Sequence, residues 1–307
     1  MPAFFRTIEQ RQDASLQRSW RRAQPYLYLS PVMILLIVLL FVPIFMVIGF
    51  SFFDNVLVNK NPVWIGLGNF QKILTDRVFL LSMKNTLVFV VLNVVFHLII
   101  GMVFALMVNS RSLGAAPKAI FRVIYLLPWM FNATVIAILW KLLLNPNGIV
   151  NYVLGSFGLI SDKISWLSDR KIVLGVLTFI NIWAGYPFYM ISILAGLQGV
   201  PGELYEASSI DGASASQTFF FITIPQLKPI LISITMLDFI WTTQNFSLIW
   251  LLTAGGPSHA TEMMSTFVYT KAFTEFQYSQ ASAAAVIILL ACVILAIFYV
   301  RNQQRAD

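Results

Sequence analysis

Six apolar runs set the terms on which this chain can fold. They lie near 27–52, 80–108, 120–143, 172–197, 227–252 and 281–300. A bilayer core of about 30 Å needs about 20 helical residues to cross it, so each run is long enough to span. In hydrocarbon every backbone N–H and C=O must be satisfied within the protein, and a run of this length does so as a helix. The expectation is an all-α membrane protein with six transmembrane helices. Composition agrees: 58% of the 307 residues are hydrophobic and 11% are charged, against about 25% charged in soluble domains.

Charge placement sets the orientation. Arg6, Arg11, Arg18, Arg21 and Arg22 precede the first run, and Arg111, Lys118 and Arg122 sit between the second and third. Lysine and arginine accumulate on the cytoplasmic side. The loops at 53–79 and 144–171 mix acids with bases, among them Asp54, Asp76, Asp162 and Asp169. Six spans then leave both termini inside. The expected division is a cytoplasmic tail at 1–26, a six-span membrane body at 27–300 and a cytoplasmic tail at 301–307. The net charge of +7 belongs to these flanks and does not indicate nucleic-acid binding. The tail is no secretory leader, because the run after it is too long and lacks a small-residue cleavage site. Cys292 is the single cysteine, which excludes disulfides within the chain and a cysteine metal site.

One polar stretch, 199–225, lies between the fourth and fifth runs, on the cytoplasmic side by the orientation above. Pro201 suits the first position of a helix, and Glu203 and Glu206 lie near the positive end of its dipole. Asp211-Gly212 reads as a turn in which glycine supplies a positive φ. Residues 213–221 form a second short helix that stops before Pro225. Two short helices around a glycine elbow make a docking surface.

Glu206-Ala207, Gly212-Ala213, Ile222 and Pro225 resemble the EAA-x3-G-x9-I-x-L-P motif of ABC importer permeases, with Ser208 and Ile224 as departures. Gly66-Leu-Gly-Asn-Phe70 followed by Asn85-Thr86 is similar to the first external loop of sugar-type permeases. Leu251-Leu-Thr-Ala-Gly-Gly-Pro257 with Thr261-Glu262 resembles a stretch of the first permease in importers of the maltose and glycerol-phosphate type. Ser247 stands where that family often has aspartate. The likeness covers about 27–300.

The resemblance implies the type I importer permease fold with a cytoplasmic coupling helix, in a bacterial inner membrane and surrounded by lipid. It implies a second permease, two ATPase subunits and an extracytoplasmic solute-binding protein as partners, and a sugar or sugar derivative as cargo. Glu203, Glu206, Ala207, Ser208, Asp211, Gly212, Ala213 and Ser214 would meet the ATPase; Gly255, Gly256 and Pro257 would face the binding protein.

Polar and aromatic residues within the spans are candidates for the pathway. Gly185 and Pro187 are expected to break or bend the fourth span, and Pro128 to kink the third. Trp183, Tyr186 and Met190 share a helical face, as do Asp238, Trp241, Asn245 and Leu248. Amides hydrogen-bond hydroxyls and indole faces cover sugar C–H groups. Trp183, Tyr186, Trp241, Gln244, Asn245 and Asn132 are therefore pathway candidates, although such groups also serve helix packing. Asp238, nearer the cytoplasmic end, reads as structural, and His97 as a packed or capped side chain.

The chain has no G-x-x-x-x-G-K-[ST] loop and no H-E-x-x-H pair, so it is not read as an enzyme. ATP and magnesium would bind partner subunits. A same-fold permease for another solute, an ion-coupled transporter and a membrane scaffold stand as rivals. The Gly-Gly-Pro stretch, the absence of an inverted repeat and the polar span residues argue against them in turn.

Overall fold

The computed structural model describes residue 20 and residues 24–110 and 114–303. The N-terminal arginines used for orientation, Arg111 and Arg305 lie outside the described residues, as does most of the expected 1–26 tail. Among the described residues the secondary structure is helical apart from one bridge, Phe53 to Trp64.

Helix α1, Gln24–Phe50, is the first span. Short α2, Gly68–Thr75, leads into the second span, α3, Arg77–Asn109. Asp76 starts α3 by accepting from the backbone N–H groups of Val78 and Phe79, which satisfies two donors that no carbonyl of the helix can reach.

The third run is not one helix. It forms α4, Ala115–Met130, and α5, Ala133–Leu143, which meet at 96°. The break falls at Phe131-Asn132 rather than at Pro128. Pro128 is close enough to the end of α4 that it removes one bond of the last turn. Phe131 and Asn132 are extended (ψ 140° and 161°), and the Asn132 side chain starts α5 by accepting from Val135 N at 2.9 Å. Helix α6, Ile149–Ser156, lies in the following loop.

The fourth span, α7, Val173–Gly199, is continuous through Gly185 and Pro187, contrary to the expected break. Its neighbour accounts for this. Helices α3 and α7 share the most extensive contact among the described elements. A Cβ on Gly185 would lie 2.4 Å from His97 Nε2, and one on Gly101 would lie 2.4 Å from Tyr189 Cβ. His97 and Gly101 are four apart on α3, as Gly185 and Tyr189 are on α7, so the His97 ring seats on Gly185 while Gly101 receives the Cβ and backbone of Tyr189. The glycines serve close approach.

After the polar stretch, where α8 is Gly202–Ile210, comes α9, Ala215–Thr243. The expected second short helix is therefore the first turns of the fifth span, and Pro225 does not stop it. A π-helical turn at Phe219–Thr223 precedes Ile224-Pro225, and Ile224 N bonds back to Phe219 O. Widening the helix there relieves the proline's clash with the preceding turn. A like turn, Ile37–Phe41, precedes Pro43 in α1. Helix α9 ends at Thr243, and α10, Ser247–Thr253, completes the fifth run after a second break. Helix α11, Met264–Tyr269, and the last span, α12, Tyr278–Gln303, close the order. Among the described residues there are thus five candidate spans, or six if the bent pair α4–α5 counts as one.

Among the described residues three apolar clusters are buried. Ile73, Phe79, Phe267, Ala283 and Ala284 form one; Phe89, Leu177, Ile180 and Ile249 belong to the second, Met102, Ala105, Ile193 and Leu227 to the third. Between the second and third in sequence on α3, α7 and α9 lie Asn93, His97, Asn181, Asp238 and Thr242, all buried. This polar layer is the centre of the site.

Candidate functional site

The polar layer is a connected network. Asn245 Nδ2 donates to Asn181 Oδ1 at 2.8 Å, Asn181 Nδ2 to Asn93 Oδ1 at 2.9 Å, and Asn93 Nδ2 to Phe89 O at 2.7 Å. Beside it, Asp238 Oδ2 meets His97 Nδ1 at 2.8 Å and accepts from the Tyr189 hydroxyl at 3.0 Å, while Oδ1 accepts from Thr242 Oγ1 at 2.9 Å. His97 Nε2 faces the Asn181 carbonyl at 3.1 Å. Side chains of α3, α7 and α9 thereby meet at one carboxylate, and buried polar groups in so dry a place are stable only when paired in this way.

The two ring nitrogens of His97 thus bridge α9 and α7, Nδ1 to the carboxylate of Asp238 and Nε2 to the backbone of Asn181.

A cavity of about 280 Å3 opens on this layer, bordered by His97, Asn181, Gly185, Asp238, Trp241, Thr242 and Asn245 on one side and by Pro128, Trp129, Phe131 and Ala133 on the other. Both helix breaks reach it: Phe131 and Ala133 flank the α4–α5 bend, and Asn245 lies between α9 and α10. Non-helical backbone at membrane depth is tolerated where it is buried in protein or lines a cavity. Trp129 is 51% exposed and Trp241 56% exposed. Phe188 stands between them, its ring centroid 6.3 Å from Trp129 and 5.4 Å from Trp241. Large indoles this accessible are unspent binding area.

The sequence candidates separate here. Trp241 and Asn245 line the cavity, and Asp238 and Leu248 share that wall. Trp183 and Tyr186 do not line it. Trp183 packs edge-on to Trp140 at 5.5 Å, and Tyr186 is buried against Phe104 at 5.2 Å. Gln244 is exposed at the end of α9, and Asn132 caps α5 beside the lining residues Phe131 and Ala133. Sequence reading missed His97, Asn181 and Trp129 as cavity residues; a histidine or asparagine inside a span was the available signal.

The polar stretch is built as a rigid knuckle. Helix α8 closes with Gly212 at φ +71°; Ala213 N bonds to Ser208 O at 3.0 Å and Gly212 N to Ser209 O at 3.2 Å. This paired C-terminal closure needs a left-handed residue, which glycine supplies without strain. Ser214 then caps α9 reciprocally with Gln217. Ser208 is buried, with Oγ 3.3 Å from Thr218 Oγ1, so it ties α8 to α9 from within instead of facing a partner. Glu203, Glu206, Ala207, Asp211, Gly212 and Ser214 are exposed and Ala213 is half-buried. Ile210 is 87% exposed at the tip.

At the opposite end, Gly255, Gly256 and Pro257 turn over a buried anchor. Gly255 has φ +84°, and a Cβ there would lie 2.5 Å from Glu262 Oε2. Thr261 Oγ1 donates to Gly256 O at 2.6 Å, and Asn85 Nδ2 reaches Glu262 O at 3.1 Å. The Gly-Gly-Pro, Thr-Glu and Asn-Thr segments are thus parts of one clamp. His259 is half exposed and meets Glu262 at 3.1 Å.

The family model described as "Binding-protein-dependent transport system inner membrane component" matches residues 97–307. The chain belongs to this family. The "Probable ABC transporter permease protein YurN" of Bacillus subtilis is 30% identical over 278 residues, covering 90% of this chain and 94% of that one. The "Trehalose/maltose transport system permease protein MalF" of Thermococcus litoralis is 30% identical, covering 90% and 92%. Among solved structures, a bacterial ABC transporter involved in import of the acidic polysaccharide alginate has a chain with a TM-score of 0.82 and 25% identity, covering 95% of this chain and 99% of that chain. The permease fold expected from the sequence is therefore present. The chain is a multi-pass membrane permease, a channel-forming subunit by family.

Proposed function

We propose that this permease carries a sugar or sugar derivative through the cavity between its two broken helices, driven by ATPase subunits gripping the α8–α9 knuckle. The observation that carries the reading is the convergence of both helix breaks, the Asn93–Asn181–Asn245 chain and two accessible tryptophans on one mid-membrane cavity. Amides suit hydroxyls, and indole faces suit the C–H face of a pyranose. The relatives named for trehalose/maltose and alginate point to the same class of cargo.

The family description, which names binding-protein-dependent transport, supports a wider reading. A solute-binding protein delivers cargo to the Gly255–Pro257 end, and a second permease lines the other half of the path. The knuckle end is cytoplasmic, as are both termini, and ATP and magnesium act in separate subunits. A motor can move the spans through the knuckle because Ser208, Thr218, Tyr205 and Thr223 lock α8 onto the start of α9. Displacement of α8 therefore reaches Asp238 and Trp241 along one unbroken helix.

The test is sugar uptake into vesicles bearing the assembled transporter. Uptake should need ATP and no ion gradient. Glu206→Lys and Gly212→Asp should each cut uptake about tenfold or more while the permease still inserts; the second also forces a side chain onto a left-handed residue. Normal uptake in both variants would remove the knuckle from the coupling path. Uptake driven by an ion gradient alone would overturn the ATP-driven reading.

A further inference from the structure

A second concavity, of about 620 Å3, lies at the end of the bundle opposite the knuckle. It runs between the end of α5, α6, the loop after it and the first two turns of α7. Its walls are Trp140, Leu144, Val150, Trp166, Val176 and Phe179. They are held in place: Trp166 Nε1 donates to Asn151 Oδ1 at 2.9 Å, and the Trp140 ring packs edge-on to Phe179 and Trp183, each at 5.5 Å. On α7 this groove takes Ile172, Gly175, Val176 and Phe179, whereas the cavity takes Asn181, Ala184 and Gly185. At 3.6 residues per turn the two sets fall on opposite faces of the helix. A second permease that completes the path stands on the cavity side, and the groove looks the other way.

Two residues of the groove point to an occupant. Gly175 is an exposed helical glycine, and a Cβ there would meet nothing within 4 Å. Gly101 and Gly185 each seat a neighbour; Gly175 leaves room over the backbone that no described residue fills. Glycine costs a helix more conformational entropy than alanine does, and packing within the chain gives nothing back for it here. Lys171 borders the groove, is exposed, and has no ion-pair partner among the described residues. The neighbouring Asp169 carboxylate accepts instead from the Lys171 backbone N–H at 2.8 Å. We propose that the groove holds one phospholipid of the surrounding bilayer, selected for an anionic headgroup. Its acyl chain lies over Gly175 between Trp140, Trp166 and Phe179, and its phosphate meets Lys171. Tryptophans with a lysine beside them match the boundary between chains and headgroups, and basic pockets between spans take acidic lipids by the same pairing. The proposal stands whatever the cavity carries.

The experiment reconstitutes the assembled transporter in nanodiscs of phosphatidylglycerol and phosphatidylcholine in equal parts. Retained lipids are then counted by native mass spectrometry. The unaltered transporter should hold one lipid more than Gly175→Phe does, because that ring enters the open space of the groove. This lipid should be phosphatidylglycerol about fivefold more often than phosphatidylcholine, the effect of one lysine near a phosphate. Lys171→Gln should keep the lipid and lose the preference. The same lipid count in Gly175→Phe, or an undiminished preference in Lys171→Gln, would overturn the proposal. A benzophenone attached at Gly175→Cys, with Cys292→Ser removing the native thiol, should crosslink to lipid. Crosslinking to the second permease instead would give the groove to that subunit and overturn the proposal as well.

Discussion

Helices α1 and α7 have the same length, 27 residues, and opposite relations to the rest of the chain. None of the most apolar stretch of α1 is buried within the protein, whereas half of that of α7 is. Helix α1 touches its own chain near its end, where Val42–Phe50 meets α12. From Val32 to Phe45 it is almost uniformly aliphatic and aromatic, as a helix surrounded by hydrocarbon must be. Helix α7 interleaves Thr178, Asn181, Gly185 and Tyr189 with its apolar residues, and each of the four meets a group of its own chain. Within a membrane, then, apolarity marks the helix that the chain does not hold, and polarity marks the helix on which it is organised. The reverse rule governs a water-soluble core.

Substitutions can break that contrast. The largest effect is expected for Asp238→Leu, which strands the Tyr189 and Thr242 hydroxyls and leaves His97 without its counterpart. Breaking a buried pair costs about 3–5 kcal/mol, read as a lowered unfolding midpoint of the purified complex. The double variant with His97→Leu should recover part of the loss, because it removes both partners. Next is Gly185→Ala, whose methyl must displace the His97 ring; overpacking of this kind costs about 1–3 kcal/mol. The smallest is Ile34→Ala on α1, at about 0.5 kcal/mol or less when only lipid faces it. A loss of the size seen for Gly185→Ala would instead show α1 covered by another subunit, and would sharpen the comparison into one between contacts within and between chains.

These same elements show what the sequence disclosed. The apolar runs located the spans because length and composition suffice for that. The elbow at Gly212 was legible because a left-handed residue after a capped helix is a local affair. Span four was misjudged for the opposite reason. Gly185 and Pro187 are breakers by local rule, yet α7 runs through both without a break, with His97 seated close against Gly185. The real breaks, at Phe131-Asn132 and at 244–246, carry weak local signals and are fixed by the cavity they border. The partnership of Asp238 with His97 joins residues 141 positions apart, and no spacing in the sequence announces it. Ser208 illustrates a finer limit: its motif position suggested a docking surface, while its hydroxyl faces inward to Thr218.

The separateness of α1 bears on how the chain is made. Its most apolar stretch takes no burial from later segments, so that part can rest in lipid as soon as it leaves the ribosome. Helix α3 must wait with Asn93 Oδ1 and the His97 ring unmatched until α7 and then α9 arrive, the last of them 141 residues behind. At synthesis rates of about 5–20 residues per second, that vigil lasts on the order of ten seconds. The time before the polar layer can close is therefore set by the distance along the chain from histidine to aspartate.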